Sequence, residues 1–265
     1  MTVIGVQEAT IGARPLAGQH ALVTGGGSGI GLGIAAVLTA SGARVTILGR
    51  REAKLREAVA AGHAAFPIAA DVTDEAAVAD AITLAAKTLG PVLLLINAAG
   101  AAETAPFHKT DMAMFERMWR VNVAGAVIMT HATLPGMLEA KFGRVVNIAS
   151  TASLKGYRYV SAYVTAKHGL LGLTRALAQE VAGTGVTVNA VCPGFTDTDL
   201  VAQSVERIVA RTGRTAAQAL SDLTQANPLG RLIRPAEVAA SVLYLCLPEA
   251  AAVNGQALAV DGGET

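Results

Sequence analysis

The sequence predicts an α/β fold in which a doubly wound, parallel sheet of seven strands is flanked by helices. Short runs of Val, Ile and Leu alternate with longer alanine-rich stretches of helical period along almost the whole chain. The short runs are nearly continuous in apolar residues, which is typical of strands buried on both faces of a parallel sheet. Strands that alternate regularly with helices form right-handed crossovers and therefore a doubly wound sheet.

The predicted strands are spaced so that a helix fits between each pair. They are residues 21–24, 44–48, 65–69, 92–97, 144–149, 186–191 and 256–260. Three helices have start signals, namely Asp74, Asp111, and Pro235 at a first-turn position. We predict a single domain over residues 17–265, preceded by a loose N-terminal lead over residues 1–16 that shows no clear period.

Composition and charge exclude several classes of function. A chain of 265 residues, 52% apolar and 15% charged, can bury one large core, and a second domain would be cramped. Lys plus Arg (21) almost equals Asp plus Glu (20), so we expect neither nucleic acid nor a membrane surface as partner.

Compartment is indicated by the start of the chain and by its cysteines. We see no signal peptide and no apolar run long enough to span a membrane. The two cysteines, Cys192 and Cys246, have no metal-ligand spacing and are expected to be buried thiols in a reducing compartment. We therefore expect a soluble, cytoplasmic protein without a metal site.

A glycine-rich turn, TGGGSGIG (24–31), follows the first predicted strand. Glycine lets the backbone approach a ligand closely, and the amides at the start of the next helix favour a phosphate group. Spacing excludes a P-loop, because Leu32 follows the turn where Lys is required, and a hydrolase elbow, because position 30 is not glycine. Its place in a βαβ unit favours dinucleotide binding over tight packing alone. The residues assigned to this contact are Gly25, Ser28, Gly29, Ile30 and Gly31.

The second predicted strand is followed by Gly49, Arg50 and Arg51. A dinucleotide fold that binds an unphosphorylated ribose usually has an acidic residue here. A guanidinium is planar and permanently charged, which suits a 2′-phosphate. We therefore favour NADP(H), bound through Arg50, and keep NAD(H) as the alternative, in which both arginines are solvated and Arg51 merely opens the next helix.

Three polar residues indicate acid–base chemistry. In the stretch SAYVTAKHG, Tyr163 and Lys167 project from one face if residues 161–181 form a helix. An ammonium beside a phenol lowers the phenol's pKa from about 10 and makes it a usable general acid or base. A packed tyrosine with a solvated lysine would also explain the pair. Ser150 favours catalysis, because it ends a predicted strand at the edge where ligands bind.

Together these motifs resemble the short-chain dehydrogenase/reductase family and imply its Rossmann-like fold. The spacing of Ser150, Tyr163 and Lys167 resembles the active site of the family, and residues 24–31 match its T-G-x-x-x-G-x-G turn. Further motifs in the family order are Asp71-Val72, NAAG (97–100), NVAG (122–125) and PG (193–194). The resemblance covers about residues 17–264 and is strongest to polyketide ketoreductases and 3-oxoacyl-carrier-protein reductases, with a lid length similar to that of 3-hydroxybutyrate dehydrogenases.

The resemblance implies four catalytic residues. Tyr163 would exchange a proton with the substrate oxygen, and Ser150 would hydrogen-bond that oxygen. Lys167 would hold the nicotinamide ribose and lower the pKa of Tyr163, while Asn122 would hold a water that links Lys167 to solvent. A non-catalytic nucleotide-sensing or scaffold protein on the same fold is expected to lack at least one of these residues, and this chain has all four.

The resemblance also implies the remaining cofactor contacts and the assembly. Asp71 and Val72 would contact adenine, Asn97 the adenine-side ribose and Thr198 the nicotinamide carboxamide. Other positions of the cofactor site are Gly100, Pro193, Gly194 and Thr196, the last of which replaces the usual Val or Ile. Subunit pairing through helices near residues 110–135 and 161–181 implies a homotetramer.

A substrate lid is implied over about residues 198–228. Arg207, Arg211 and Arg214 stand at helical spacing on one side of it, opposite apolar residues such as Ile208. Either they form the solvated face of an amphipathic lid, or they meet coenzyme A or an acyl-carrier protein that delivers a 3-oxoacyl group.

These observations predict an oxidoreductase that transfers a hydride between NADP(H) and a ketone or secondary alcohol. We expect the substrate to be a 3-oxoacyl thioester or a related β-keto compound. The alternative enzyme is an NAD-dependent dehydrogenase of a cyclic or aryl secondary alcohol.

Overall fold

A computed structural model describes residues 14–265 of the protein, and within them seven strands form one parallel sheet. The strands are β1 His20–Thr24, β2 Arg44–Gly49, β3 Phe66–Ala69, β4 Leu94–Asn97, β5 Gly143–Ile148, β6 Val186–Pro193 and β7 Ala257–Val260. Their order across the sheet is β3-β2-β1-β4-β5-β6-β7, and every pairing is parallel. The predicted fold class is confirmed.

Helices connect the strands, as the alternating pattern predicts. They are α1 Gly29–Ala40, α2 Glu52–Ala60, α3 Glu75–Leu89, α4 Met112–Trp119, α5 Gly125–Glu139, α6 Ser161–Glu180, α7 Asp199–Thr212, α8 Ala216–Thr224 and α9 Pro235–Cys246. Both predicted acidic caps form, since the Asp74 carboxylate accepts the Ala77 amide at 3.0 Å and the Asp111 carboxylate accepts the Met114 amide at 2.9 Å. Pro235 occupies the first turn of α9.

Successive strand residues are buried against opposite layers of helices. Val23 of β1 packs with α1 and α9 on one face of the sheet, whereas the neighbouring Leu22 packs with α3 and α5 on the other. A third cluster joins α4 and α6 to the end of β6 through residues such as Met118 and Cys192. The sheet is therefore covered on both faces, and its carboxyl edge is the open side.

The helical segment Met112–Glu139 is long and apolar enough to cross a membrane, by length and composition alone. Of its most apolar window, 44% is buried inside the fold. Its α5 part packs on α3 and on the sheet, so its apolar character is that of a core helix. A π-helical turn, Arg120–Ala124, joins α4 to α5 within this segment.

The N-terminal boundary differs from the predicted one. Leu16, which the sequence analysis assigned to the lead, is only 1% exposed, and its amide donates to the carbonyl of Ser41 at 3.0 Å. A periodic pattern needs several apolar residues at regular spacing, so the sequence pattern did not indicate that Leu16 is buried. The rest of the lead, residues 1–13, lies outside the described residues.

Candidate active site

The candidate site lies where the chain reverses its direction of winding across the sheet. The strands run from β1 outwards to β2 and β3, and the chain then returns to β4 on the other side of β1. Parallel sheets of this kind bind ligands at the carboxyl edge beside this point of reversal, where the loops after β1 and β4 lie next to each other.

The structure brings Ser150, Tyr163 and Lys167 together at this edge. Ser150 follows β5, and its hydroxyl accepts the Ala152 amide at 3.1 Å and faces the Tyr163 phenol. One turn further along α6, Lys167 places its Nζ 5.7 Å from the centre of the Tyr163 ring. The three groups predicted from sequence spacing thus surround one volume.

Burial dominates the protonation of this group. It raises the pKa of Tyr163, an effect that the Ser150 hydroxyl opposes by hydrogen-bonding the phenol. Burial also lowers the pKa of Lys167 to about 8. The predicted net lowering of the Tyr163 pKa is wrong, because the prediction considered the neighbouring ammonium and not the loss of water around the phenol.

Lys167 is positioned by the backbone as well as by its helix. Its Nζ donates to the carbonyl of Ile148 at 2.8 Å, at the end of β5. The side chain is only 4% exposed, and no carboxylate pairs with it within residues 14–265. A buried, unpaired ammonium titrates more easily than a solvated one, so Lys167 is suited to proton transfer.

Asn122 lies beside Lys167 and is held by the π-helical turn. Its Nδ2 donates to the carbonyls of Ala101 (2.9 Å) and Met118 (3.0 Å). A Cβ at Gly100 would lie 2.9 Å from Asn122 Oδ1 and 3.7 Å from Lys167 Nζ, so glycine keeps this space open. The described hydrogen bonds fix the amide and leave its oxygen near the ammonium.

The glycine-rich turn forms a backbone cradle next to these groups. The Thr24 hydroxyl accepts the amides of Ala98 (3.0 Å) and Ala99 (2.9 Å), which ties the end of β1 to the end of β4. Gly25 has φ 67°, and a Cβ at Gly31 would lie 2.4 Å from the Gly25 carbonyl oxygen. Only glycine fits these two positions, and the cradle they form opens at the start of α1.

Two arginines stand at the outer end of the cradle. Arg51 donates to the Ser28 hydroxyl at 2.8 Å, and Arg50 lies 4.0 Å from the Asp71 carboxylate while its side chain is 77% exposed. The Asp71 carboxylate also accepts the amide and hydroxyl of Thr73, and these bonds lower the pKa of Asp71. Ser28 and Arg50 are the residues predicted here to contact the cofactor, and the structure adds that Arg51, considered only as the opening of α2, lies against Ser28.

Asn97 takes part in a hydrogen-bonded link inside the sheet. Its Nδ2 donates to Asn147 Oδ1 at 2.9 Å and to the Thr130 hydroxyl at 3.3 Å, and the residue is 5% exposed. This arrangement favours a structural role for the Asn97 side chain over the predicted ribose contact. Val72, predicted to contact adenine, is buried against Gly125, where a Cβ would come within 2.7 Å of it.

The segment after β6 closes the cradle from the other side. Thr198 immediately precedes α7 and lies against Gly29, where an added Cβ would lie 3.2 Å from Thr198 Cγ2. Thr196 is 3% exposed, and its hydroxyl donates to the Gly194 carbonyl at 3.0 Å. Pro193, Gly194, Thr196, Thr198 and Ile30 all line the cavity that contains Ser150 and Tyr163.

That cavity has a volume of about 650 Å³ and lies between the sheet edge and the lid. Tyr157, Tyr159 and Phe195 contribute aromatic surface to its wall, and α7 covers it from above. Ser150 and Tyr163, the two residues predicted to contact the substrate oxygen, both line this cavity. Tyr163 is therefore open to a ligand in the cavity, whereas Lys167 lies behind it.

A buried carboxylate near the C-terminus supports this wall, and sequence reasoning missed it. Glu264 has 1% side-chain exposure, accepts a 2.5 Å hydrogen bond from the Tyr157 hydroxyl and pairs with Lys155 Nζ at 3.0 Å. The Tyr157 hydroxyl also lies 2.7 Å from that of Thr151, and Phe195 packs edge-on against the Tyr157 ring. No periodic signal marks a single acidic residue so close to the end of the chain.

The three lid arginines do not share one face, contrary to prediction. Helix α7 ends at Thr212, Gly213 takes a left-handed conformation (φ 69°), and Arg214 beyond it pairs with Asp222 of α8. Arg207 lines the cavity together with Ile208, which the prediction placed on the opposite side of the helix. The position of the Arg211 side chain lies outside the described part of the structure.

Known proteins resemble this chain over most of its length. The family model for short chain dehydrogenase matches residues 19–208. A putative ketoacyl reductase of the granaticin polyketide synthase of Streptomyces violaceoruber is 38% identical, covering 95% of this chain and 93% of the relative. D-beta-hydroxybutyrate dehydrogenase of Cupriavidus necator is 36% identical, covering 94% and 98%.

A solved structure agrees with the sequence comparisons. It is a variant of actinorhodin polyketide ketoreductase with NADPH, which superimposes with a TM-score of 0.89 at 37% identity. The match covers 93% of this chain and 97% of that chain.

Proposed function

The chain belongs to the short-chain dehydrogenase family, whose members are NAD(P)-dependent oxidoreductases acting on CH–OH groups, and we propose that it reduces the ketone of a 3-oxoacyl thioester or related β-keto compound with NADPH. The reaction is reversible to the oxidation of a secondary alcohol. One observation carries the proposal: Ser150 and Tyr163 line one cavity together with Ile30 of the glycine-rich turn.

The residues fit a nicotinamide dinucleotide by their shape. Side chains at Gly25 and Gly31 would fill the cradle, and the start of α1 presents backbone amides to a phosphate there. We propose that Gly25, Ser28, Gly29, Ile30 and Gly31 hold the diphosphate, with Asp71 and Val72 at the adenine and Thr198 at the carboxamide. The bound cofactor supplies the hydride.

The catalytic side chains bind and polarise the substrate oxygen. Ser150 and Tyr163 donate hydrogen bonds to a carbonyl on the cavity floor, and Tyr163 transfers its proton as the oxygen gains charge. Because burial raises the pKa of Tyr163, the phenol keeps its proton at neutral pH and is a general acid in the reduction. Lys167 and Asn122, behind the phenol, are placed to restore that proton.

The charge near Ser28 supports NADP(H) over NAD(H). Arg51 and Arg50 stand at the end of β2, and neither is held by a close ion pair within the described chain. A 2′-phosphate could accept charge-assisted hydrogen bonds from both guanidinium groups. The aromatic wall and the relatives named as ketoacyl reductase and hydroxybutyrate dehydrogenase support a β-keto substrate.

We also infer a cytoplasmic homotetramer. The exposed apolar residues Met112 (69%) and Trp119 (49%) lie on α4, one of the helices expected to pair subunits. Light scattering at several concentrations measures the assembly, and a monomer at all of them would contradict this part.

The test of the function is a set of initial rates with NADPH and with NADH on β-keto thioesters, simple β-keto esters and cyclic ketones. We expect Tyr163→Phe to lower kcat by roughly 10²- to 10⁴-fold, the contribution of a positioned general acid. Tyr244→Phe, at an exposed position of α9, is the matched control and should retain wild-type rates. Undiminished turnover in Tyr163→Phe would refute the mechanism.

A further inference from the structure

The wall of the catalytic cavity carries positive charge that no carboxylate balances. Arg158 and Arg207 line the cavity, and no Asp or Glu is among the described residues that line it. Neither guanidinium forms an ion pair elsewhere within residues 14–265. Arg158 is exposed and Arg207 is partly exposed, so both guanidinium groups can form charge-assisted hydrogen bonds with an anion that enters the cavity.

Arg207 stands on the inward stripe of the lid helix. The residues of α7 that line the cavity have the spacing of one helix face, and they are Leu200, Val201, Ser204, Arg207, Ile208 and Thr212. Such a stripe is expected to be apolar, so an arginine within it is a local exception. Arg207 Nε donates to the Gln203 carbonyl at 3.1 Å, and the terminal nitrogens of the guanidinium have no protein partner in the described chain.

Arg158 lies on a second segment of the same wall, between the Thr151–Ser153 turn and α6. Its guanidinium carbon is 5.5 Å from the centre of the Tyr159 ring. Tyr159 has φ 68°, a strained conformation for a non-glycine residue, and its carbonyl accepts the Ala105 amide at 2.8 Å. The strained residue holds this segment so that both side chains line the cavity.

We propose that Arg207, assisted by Arg158, forms a subsite for an anionic group at the end of the substrate remote from the reacting ketone. The shared chemistry is that of a carboxylate, sulfonate or phosphate, each of which accepts hydrogen bonds from a guanidinium. The inference rests on the proposed function, since that function places the ketone at Tyr163. The proposed function specifies the reacting ketone of the substrate, and this inference specifies in addition a negative charge at its other end.

Two matched pairs of substrates distinguish the sources of such an anion. The first pair is a straight-chain keto acid and the corresponding keto amide, which have the same chain length and differ in charge. Several chain lengths are tested in this way. The second pair is acetoacetyl-coenzyme A and the uncharged N-acetylcysteamine thioester of the same acyl group. The measured quantity is the ratio of kcat/KM for the charged member over the neutral member.

Arg207→Gln should lower that ratio by about 10- to 100-fold in at least one pair, the effect of losing a hydrogen bond between charged groups. Arg207→Lys, which keeps the charge, should restore part of it, and Arg158→Gln should lower the ratio less. Arg214→Gln is the matched control, because Arg214 belongs to the same lid but pairs with Asp222. A fall in the first pair identifies a small anionic ketone, and a fall in the second alone identifies a carrier.

Binding measurements separate this inference from the proposed reaction. Calorimetric titration with unreactive straight-chain carboxylates and their amides should show a preference for the carboxylate that Arg207→Gln removes. If neutral ketones are reduced but Arg207→Gln changes neither ratio, the anion subsite is refuted and the reductase stands. If no ketone is turned over but the Arg207-dependent carboxylate preference remains, the subsite stands and the proposed reaction is refuted.

Discussion

At the scale of single residues, burial sets the pKa values of the side chains at the candidate active site. Tyr163 and Lys167 are neighbours on α6, yet burial shifts their pKa values in opposite directions, upwards for the phenol and to about 8 for the ammonium. The two pKa values therefore lie further apart than their ordinary values of 10.0 and 10.5, so the phenol holds its proton while the ammonium releases one more easily. Ser150 adds the hydrogen bond that partly opposes the effect of burial on the phenol.

The buried Lys167 predicts how stability depends on pH. Its pKa is about 8 in the folded chain and 10.5 in the unfolded chain, so between these values the unfolded chain binds more protons and stability rises with pH. Below about pH 8 the cost of burying the charge is fully present, up to about 3 kcal/mol at 1.4 kcal/mol per pKa unit. Urea unfolding at several pH values should show the rise.

Lys167→Met should remove this rise and be more stable than the wild type below about pH 8. The raised pKa of Tyr163 acts only above its ordinary value of 10.0, outside most of the window. An unchanged pH slope in Lys167→Met would show that another group titrates there.

Cofactor preference is the second property decided by single residues. We expect Arg51→Ala and Arg50→Ala each to lower the ratio of kcat/KM for NADPH over NADH by about 10-fold or more, because each removes a charged donor near Ser28. Arg56→Ala is the control, since its guanidinium pairs with Glu52 on the exposed face of α2. A wild type that uses NADH as well as NADPH would contradict the assignment.

At the scale of elements, the site is assembled from segments far apart in the chain. The Thr24 hydroxyl joins β1 to β4, Lys167 joins α6 to the end of β5, and Glu264 joins the C-terminal segment to the loop before α6. The Thr24 and Lys167 links are made by one side chain at a strand end, whereas the Glu264 link joins two loops. The sheet fixes these ends rigidly, so a short contact suffices to position a catalytic or cavity-lining residue.

The Glu264 link predicts a combined effect on stability and substrate binding. Glu264→Ala leaves Lys155 and the buried Tyr157 hydroxyl without their shared partner, and we expect the free energy of unfolding to fall by about 1–3 kcal/mol. KM should rise because Tyr157 lines the cavity. Urea denaturation and initial rates measure the two effects.

The comparison for Glu264→Ala is Glu249→Ala at an exposed position, which should change neither quantity. Tyr157→Phe combined with Glu264→Ala should cost less than the sum of the single changes, since the two groups share one hydrogen bond. Additive losses would contradict the direct link.

At the scale of the whole molecule, stability depends on polar groups enclosed at the edge opposite the site. His20 begins β1 and is 1% exposed, with Nδ1 2.6 Å from the Gly90 carbonyl and Nε2 2.8 Å from the Thr46 hydroxyl. A neutral imidazole satisfies both contacts by donating from Nδ1 and accepting at Nε2. The ring thereby joins β1, β2 and the end of α3.

His20 should make the fold sensitive to acid. Burial lowers the pKa of His20 below 6.5, so the unfolded chain takes up a proton before the folded chain does. Its contribution is therefore complete above about pH 6.5 and is lost as the pH falls towards the folded-state pKa. His20→Gln should flatten this part of the stability curve, measured by urea unfolding. A slope equal to that of the wild type would contradict the assignment.

The sequence by itself determined the fold class and the seven strands, and it predicted that Ser150, Tyr163 and Lys167 meet at one edge of the sheet. These follow from local pattern, because apolar runs specify buried strands and fixed spacings place residues on one helix face. Asp74 and Asp111 were likewise found as helix caps from local sequence alone.

Only the tertiary structure decided what surrounds those residues. Burial set the direction in which the pKa of Tyr163 shifts. The position of α7 over the cavity placed Arg207 in the cavity wall, and the path of the C-terminal segment brought Glu264 into contact with Tyr157. Each of these depends on groups distant in sequence that displace water or meet across the fold. Solvation and long-range contact are properties of the packed molecule, so no local pattern along the chain encodes them.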